Sequence, residues 1–269
     1  MNVADGLFND ISQMKEGQTL WTREELILAI NLYCKTPFGR IHDRNPDLIE
    51  LGKLIGRTPG SISYKLVNFA SLDPSITSTG RKGAVNASKL DKETWDEFFN
   101  NWGDLAFLSE ELRAKYLHVP IENLIPKEEE ITFAEGKTKE RLVKVRVNQY
   151  FFRASVLAAY NNTCCITGID NPAFLVAGHI NTWADDEANR MNPRNGIAIN
   201  GLHDKAFETG LMTITPDYKI RVSTKLLNAS YSKENPWYFR DLDGKEIKLP
   251  SRFLPDPEFL KKHNERFIL

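Results

Sequence analysis

Apolar residues recur at helical spacing across residues 21–35, WTREELILAINLYCK, which opens with Thr22 three positions ahead of Glu25, the pattern of a capping box. The pairs Asn45-Pro46 and Thr58-Pro59 open two further predicted helices, DLIELGKLI, stopped by Gly56, and GSISYKLVNF. Helix, glycine turn and helix over residues 46–69 make a helix-turn-helix candidate. Its last helix offers Arg57, Ser61, Ser63, Tyr64 and Lys65, side chains able to touch phosphates and base edges. The period breaks over residues 71–88, rich in serine and glycine, with Arg81 and Lys82 on what reads as a basic loop tip able to reach a groove. Helical spacing returns over residues 89–117 and assigns Leu90, Trp95, Phe98, Phe99 and Trp102 to the core, with Ser109 expected to start a separate helix.

Two prolines and an acidic run interrupt the pattern over residues 118–136, so a boundary falls there. RLVKVRVNQYFFRASVLAAY then predicts a strand or connector followed by a helix. AFLVAGHI is a short apolar run ending on His179 and reads as a buried strand. NPRNG is a turn carrying Asn195, GIAIN is a second short strand, and LHDKAFE fits one or two helical turns between Asn200 as N-cap and Gly210 as stop. MTITPDYKIRVS is a predicted hairpin. The tail predicts a small strand pair around Asp243-Gly244 and a closing helix whose His263 is expected at the surface. The class is α+β in two parts: a helical domain over residues 20–118 and a second domain over residues 137–269.

Composition narrows the picture. With 269 residues and 41% hydrophobic positions the chain can bury sizeable cores. No run of about 18 apolar residues exists to span a membrane, and the first ten residues lack the basic-then-apolar pattern of a secretory signal. Three cysteines, two of them adjacent, make no disulfide framework, so a reducing, cytoplasmic setting is expected. A net charge of −1 gives no global reason to bind nucleic acid. One local reason is visible: residues 137–153 carry six Lys or Arg against a single Glu, Lys144 and Arg146 among them, and phosphate contact is expected there.

The candidate chemistry lies in residues 176–211, where His179, Asn195 and His203 sit on a strand, a turn and a short helix that can converge. A neutral imidazole takes a proton from water near pH 7. A carboxamide orients that imidazole or holds its loop. A second imidazole can hold a divalent metal beside a phosphate. Each residue taken singly has a structural reading as well.

These residues resemble the HNH endonucleases, and within them a branch with a CxxTG-like turn followed by an AxHI…NPxNG…LHDxxFDxGL core. Here the turn is Cys164, Cys165, Ile166, Thr167 and Gly168, and the likeness extends over residues 146–223, with RVNQYFFR upstream also fitting. The resemblance implies a ββα-metal core in which His179 is the general base, Asn195 orients it, and His203, with a carboxylate such as Asp204, holds the metal. It implies magnesium, with manganese or another transition metal as alternatives. Two departures stand out. Many HNH enzymes carry an acidic residue or a histidine where this chain has Gly178, and Asp170, Asp185, Asp186 and Glu208 are further candidates for the missing ligand. No CxxC pair is present, so no structural zinc is expected. The WTREE opening and the GRTPGSISYKL run are similar to Myb-like or winged-helix DNA-binding modules. Together the resemblances imply a restriction-type endonuclease of prokaryotic defence, acting on double-stranded DNA, and cutting both strands with one active site per chain favours a homodimer. The rivals are an HNH effector of a larger defence system with little sequence preference, and a DNA-binding protein with a dead HNH fold.

Overall fold

Thr22 starts the first helix by the reciprocal bonds its spacing predicts. Its Oγ1 accepts the Glu25 N–H at 3.3 Å, and Glu25 Oε2 accepts the Thr22 N–H at 2.7 Å, opening α1 (Arg23–Lys35). Asn45 and Thr58 cap α2 (Pro46–Ile55) and α3 (Pro59–Leu72), and Gly56 ends α2 with φ +71°, a conformation glycine adopts without a Cβ penalty. The computed structural model describes residues 19–77, 87–124 and 139–267. Arg81 and Lys82 lie outside the described residues.

The next helices are α4 (Lys89–Phe98) and α5 (Trp102–Leu117). Ser109 does not begin a helix of its own. It lies buried inside α5, because no glycine or proline follows Gly103 to break the run from Trp102. The expected aromatic core is present and extends further than the spacing implied. Phe69 stacks on Trp95 with centroids 5.9 Å apart, Trp95 meets Trp102 edge-on at 6.4 Å, and Trp102 contacts Phe151 and Phe253 at 6.5 and 5.6 Å.

Phe151 belongs to α6 (Lys139–Ala159), a 21-residue helix where a strand or connector was expected to come first. The valines of RLVKVRV favour a strand locally, yet Val143, Val147 and Phe151 are buried at four-residue spacing, and packing against α1 and α5 overrides that preference. The other side of α6 carries Phe152 and Val156. There β2 (Gly196–Asn200) presses so close that a Cβ at Gly196 would fall 2.4 Å from Val156 Cγ2 and 2.8 Å from Phe152 Cζ. β2 pairs antiparallel with β1 (Leu175–His179), with His179 opposite Gly196 and Leu175 opposite Asn200. The chain passes from β2 directly into α7 (Gly201–Glu208).

A second hairpin, β3 (Met212–Ile214) with β4 (Ile220–Val222), follows, and α8 (Pro257–Asn264) closes the chain. The strand pair expected at Asp243-Gly244 is reduced to one bridge, Lys219 to Glu246, while Asp243 accepts the Val222 N–H at 2.9 Å. His263 is buried, not at the surface. Its ring stacks on Phe207 at 3.7 Å, Nε2 donates to the Phe207 carbonyl at 3.1 Å, and Nδ1 lies 2.7 Å from Thr213 Oγ1. Burial, with the nearby Arg266 charge, pushes its pKa down to about 4.

Arg252 joins the last part of the chain to the first. It is fully buried, its Nη2 donates to the Cys34 carbonyl at 2.9 Å and to the Thr36 carbonyl, and its guanidinium lies 4.6 Å from the Tyr33 ring centre. Next to it the Phe253 N–H donates to Ser75 Oγ at 3.0 Å. The parts expected at residues 20–118 and 137–269 therefore share one hydrophobic core, with α6 as the common wall. Among the described residues no helix is long and apolar enough to cross a membrane.

Candidate active site

His179 stands at the end of β1. Its ring stacks on Phe152 of α6, with centroids 3.9 Å apart and planes within 7°, and Trp183 meets it edge-on at 5.7 Å. Nε2 lies 3.0 Å from the Arg190 carbonyl, which can only accept, so Nε2 carries the proton and Nδ1 the lone pair. Nδ1 has no hydrogen-bond partner among the described residues. Burial lowers the pKa of the ring, with the Arg190 carbonyl opposing it, so the imidazole is neutral near pH 7. A neutral ring, held at one nitrogen with the other bare, is the form a general base requires.

Asn195 does not touch His179. It is fully buried and clasps the loop between the two strands: Oδ1 accepts the Asn181 N–H at 2.8 Å, and Nδ2 donates to the Asn181 and Asn189 carbonyls, each at 3.2 Å. Asn189 precedes the residue whose carbonyl holds His179, so Asn195 acts on the ring through the loop. Arg190 adds a bond from Nε to the Trp183 carbonyl at 2.6 Å, and Arg266 donates to the Ile180 carbonyl at 2.8 Å.

His203 is spoken for at both ring nitrogens. Asn200 caps α7 through Oδ1, which accepts the Leu202 and His203 N–H groups, so its Nδ2 is the atom 2.7 Å from His203 Nδ1 and donates to it. His203 Nε2 then donates to the Tyr238 carbonyl at 2.7 Å. The ring is 2% exposed. With Nδ1 accepting and Nε2 donating, no lone pair is left for a metal, and the expectation that His203 is a metal ligand is corrected on that ground. Its bonds instead brace α7 against the segment around Tyr238. Asn200 Nδ2 also lies 3.4 Å from Cys164 Sγ. The Thr167 N–H also donates to Cys164 Sγ, at 3.4 Å.

Asp204 explains Gly178. A Cβ on Gly178 would fall 2.6 Å from Asp204 Oδ1, so the carboxylate of α7 fills the space that a side chain would take at the position preceding His179. Gly178 and His179 point to opposite faces of β1, which puts carboxylate and imidazole on either side of the strand end. Asp204 has no hydrogen bond or ion pair among the described residues. Burial raises its pKa, the Glu208 charge adds to this and Lys205 opposes it. The other candidate carboxylates fit less well: Asp186 holds Asn189, Asp185 holds Thr182, Glu208 pairs with Lys205 at 2.8 Å, and Asp170 is exposed beyond the CxxTG turn. Among the described residues no three His, Cys, Asp or Glu side chains gather as a metal cage. A lone, unpartnered carboxylate fits a hard divalent ion that keeps most of its waters.

Residues 164–215 match the family model for HNH endonucleases. That segment is similar to an HNH endonuclease domain. No curated protein matches the chain. The matched span takes in the CxxTG turn, both strands, the clasped loop, α7 and β3.

Outside the HNH domain the side chains expected on DNA divide. Arg57 is used internally: it pairs with both oxygens of Glu25 at 2.8 and 2.9 Å, donates to the Thr19 and Leu20 carbonyls, and covers Trp21 at 4.2 Å. Lys65 is buried with both oxygens of Asp91 at 2.8 Å. Neither reaches the surface as a recognition side chain, which corrects their expected role. Ser61 and Ser63 are partly exposed and Tyr64 is 51% exposed on α3. Lys144 pairs with Asp104 at 3.0 Å on an exposed face of α6, and Arg146 is exposed on the same helix. The parts that sequence reasoning missed are Phe152 under His179, the Arg190 carbonyl and the Tyr238 carbonyl. A backbone carbonyl leaves no mark in sequence, and only the aromatic pair in QYFFR hinted at the first.

Proposed function

We propose that the chain is a metal-dependent endonuclease that hydrolyses phosphodiester bonds in double-stranded DNA. The observation that carries this reading is the His179 ring, neutral, anchored at Nε2 and bare at Nδ1. Nδ1 takes the proton of the attacking water, and the Arg190 carbonyl steadies the imidazolium that results. Asn195 is a positioning residue that keeps the loop, and hence that carbonyl, in place. Asp204 is the protein ligand for a divalent ion, magnesium by preference for oxygen donors, with manganese as the alternative. When bound there, such an ion supplies positive charge for the phosphate and the leaving oxygen.

DNA binding falls to the face of Ser61, Ser63 and Tyr64 on α3 and to Lys144 and Arg146 on α6. A restriction-type enzyme, cutting as a homodimer in the cytoplasm of a defended cell, is the sharper form of the proposal. The internal use of Arg57 and Lys65 favours a second form, an HNH effector with little sequence preference, because it removes two cations from direct readout.

Digestion of a plasmid of known sequence with magnesium, with manganese and with EDTA tests the proposal, with His179→Ala as control. Cleavage that needs metal and His179 is the expected result, and no cleavage in either metal overturns it. Discrete fragments select the restriction form, and a smear selects the effector form.

A further inference from the structure

Beside the nuclease site lies a group of exposed aromatic rings that neither the core nor the catalysis uses. Trp237 is 57% exposed, Tyr231 48% and Tyr238 43%, and Leu202, next to His203 on α7, is 51% exposed. They sit together by a chain of contacts. The Tyr238 carbonyl accepts from His203, the buried Phe239 ring meets His203 at 5.4 Å, Tyr231 meets Phe239 at 6.3 Å, and Trp237 meets Tyr238 at 5.7 Å. The rings of Trp237 and Tyr238 are tilted by 44°, so neither covers the face of the other. Single exposed aromatics are ordinary on a protein surface, but a cluster of them marks a binding site.

Charge selects the occupant. Over residues 224–241 the chain carries Lys225, Lys233 and Arg240 against Glu234 and Asp241, three positive and two negative, a local net of +1 in a protein whose total is −1. None of these three cations forms an ion pair among the described residues, and all three are exposed. The core of a protein–protein interface is depleted of lysine. Exposed rings interleaved with unpaired cations are instead the composition that holds an unpaired nucleic-acid strand, bases on the rings and phosphates on the cations. A closed duplex keeps its base faces stacked on one another and offers none to a ring.

We propose that Trp237, Tyr238 and Tyr231 form a stacking platform for unpaired bases of the nucleic-acid strand that runs past the HNH site. This rests on the nuclease reading for the identity of the polymer. It adds that the protein holds an opened strand, or a strand end left by a cut, next to α7.

The test measures binding in EDTA, so that cleavage plays no part. The probe is a fluorescein-labelled oligothymidylate of about 16 nucleotides, read by anisotropy with the full chain, and oligomeric state is followed by light scattering. The wild type is expected to bind, with quenching of the Trp237 emission. Trp237→Ala is expected to weaken binding about ten-fold, and Trp237→Phe, which keeps a ring, to restore most of it. Unchanged circular dichroism confirms that the exposed substitution leaves the fold intact. No binding by the wild type, or equal binding by Trp237→Ala and Tyr231→Ala, overturns the platform. So does a wild-type dimer that Trp237→Ala converts to a monomer, which would make the patch an interface between copies. Failure of metal-dependent plasmid cleavage, with oligothymidylate binding retained, would sink the nuclease reading alone.

Discussion

His179, partly buried on a strand, and Lys65, buried on a helix, are both polar side chains, and their surroundings treat them in opposite ways. Around His179 every bond goes to one nitrogen. The ring is gripped by Phe152 and the Arg190 carbonyl, and Nδ1 is left bare. Asp204, across the strand, likewise has no hydrogen bond or ion pair among the described residues and lies against the bare backbone of Gly178. Around Lys65 every donor is directed inward, to an Asp91 carboxylate that is itself fully buried. Arg57 is consumed in the same manner by Glu25. The difference teaches that availability for chemistry lies in the partner inventory of a side chain and not in its type. The hairpin–helix unit withholds partners from two groups, whereas the three-helix unit spends its cations on holding α1, α3 and α4 together.

The following experiments can break or sharpen that contrast. The largest effect is expected at His179. Alanine there should cut the rate of plasmid cleavage by about 10²–10⁴-fold with melting unchanged within error, and a variant that still cuts normally would end the role of Nδ1. In the helical unit the effect should fall on stability instead. Lys65→Ala strands the Asp91 charge in the core and should cost about 3–5 kcal/mol in a denaturant titration. A fully stable variant that has lost DNA affinity would restore the recognition role. By contrast Tyr64→Ala, on the exposed face of α3, should change stability by no more than about 0.5 kcal/mol.

His263 should make the fold sensitive to acid. Its folded pKa of about 4 lies below that of the unfolded chain. The unfolded state therefore takes up the proton first, and stability present above pH 6.5 is lost as pH falls towards 4, by up to roughly 3 kcal/mol. His263→Gln should flatten the stability–pH curve in that window, and an unaltered curve would refute the assignment. The smallest change in stability, with a clear change in activity, is expected from Gly178→Ala. Its Cβ displaces the Asp204 carboxylate and should raise the metal concentration needed for half-maximal cleavage. The acid limb of the pH profile separates the two groups further. Both neutral His179 and ionised Asp204 are lost as pH falls. Excess metal competes with the proton at Asp204 and shifts that limb to lower pH, while the limb of His179 stays in place.

Much of this was legible in the chain because the deciding forces were local. Thr22 and Glu25 cap α1, Gly56 ends α2, and the apolar runs around His179 and Ile197 form the two strands, since caps, turns and alternation depend on neighbours within a few positions. The valines of α6 misled because their partners on α1 and α5 lie far off in sequence. His203 misled for the same reason: the Tyr238 carbonyl, which accepts its Nε2–H, is 35 residues away. Burial of His263 against Phe207 spans 56 residues and had no local sign. Asp204 was named as one of several candidate carboxylates, but its place over Gly178, in the space a side chain there would take, exists only once strand and helix meet.

Arg252 reaches the Thr36 carbonyl across 216 residues of chain. During synthesis the first helices leave the ribosome long before the side chain that plugs their core, and the contact closes only once Arg252 has followed them. Such late, distant closure slows folding. It also means that the helical part gains its full core only after the hairpin–helix segment has been made, so the two mature in step.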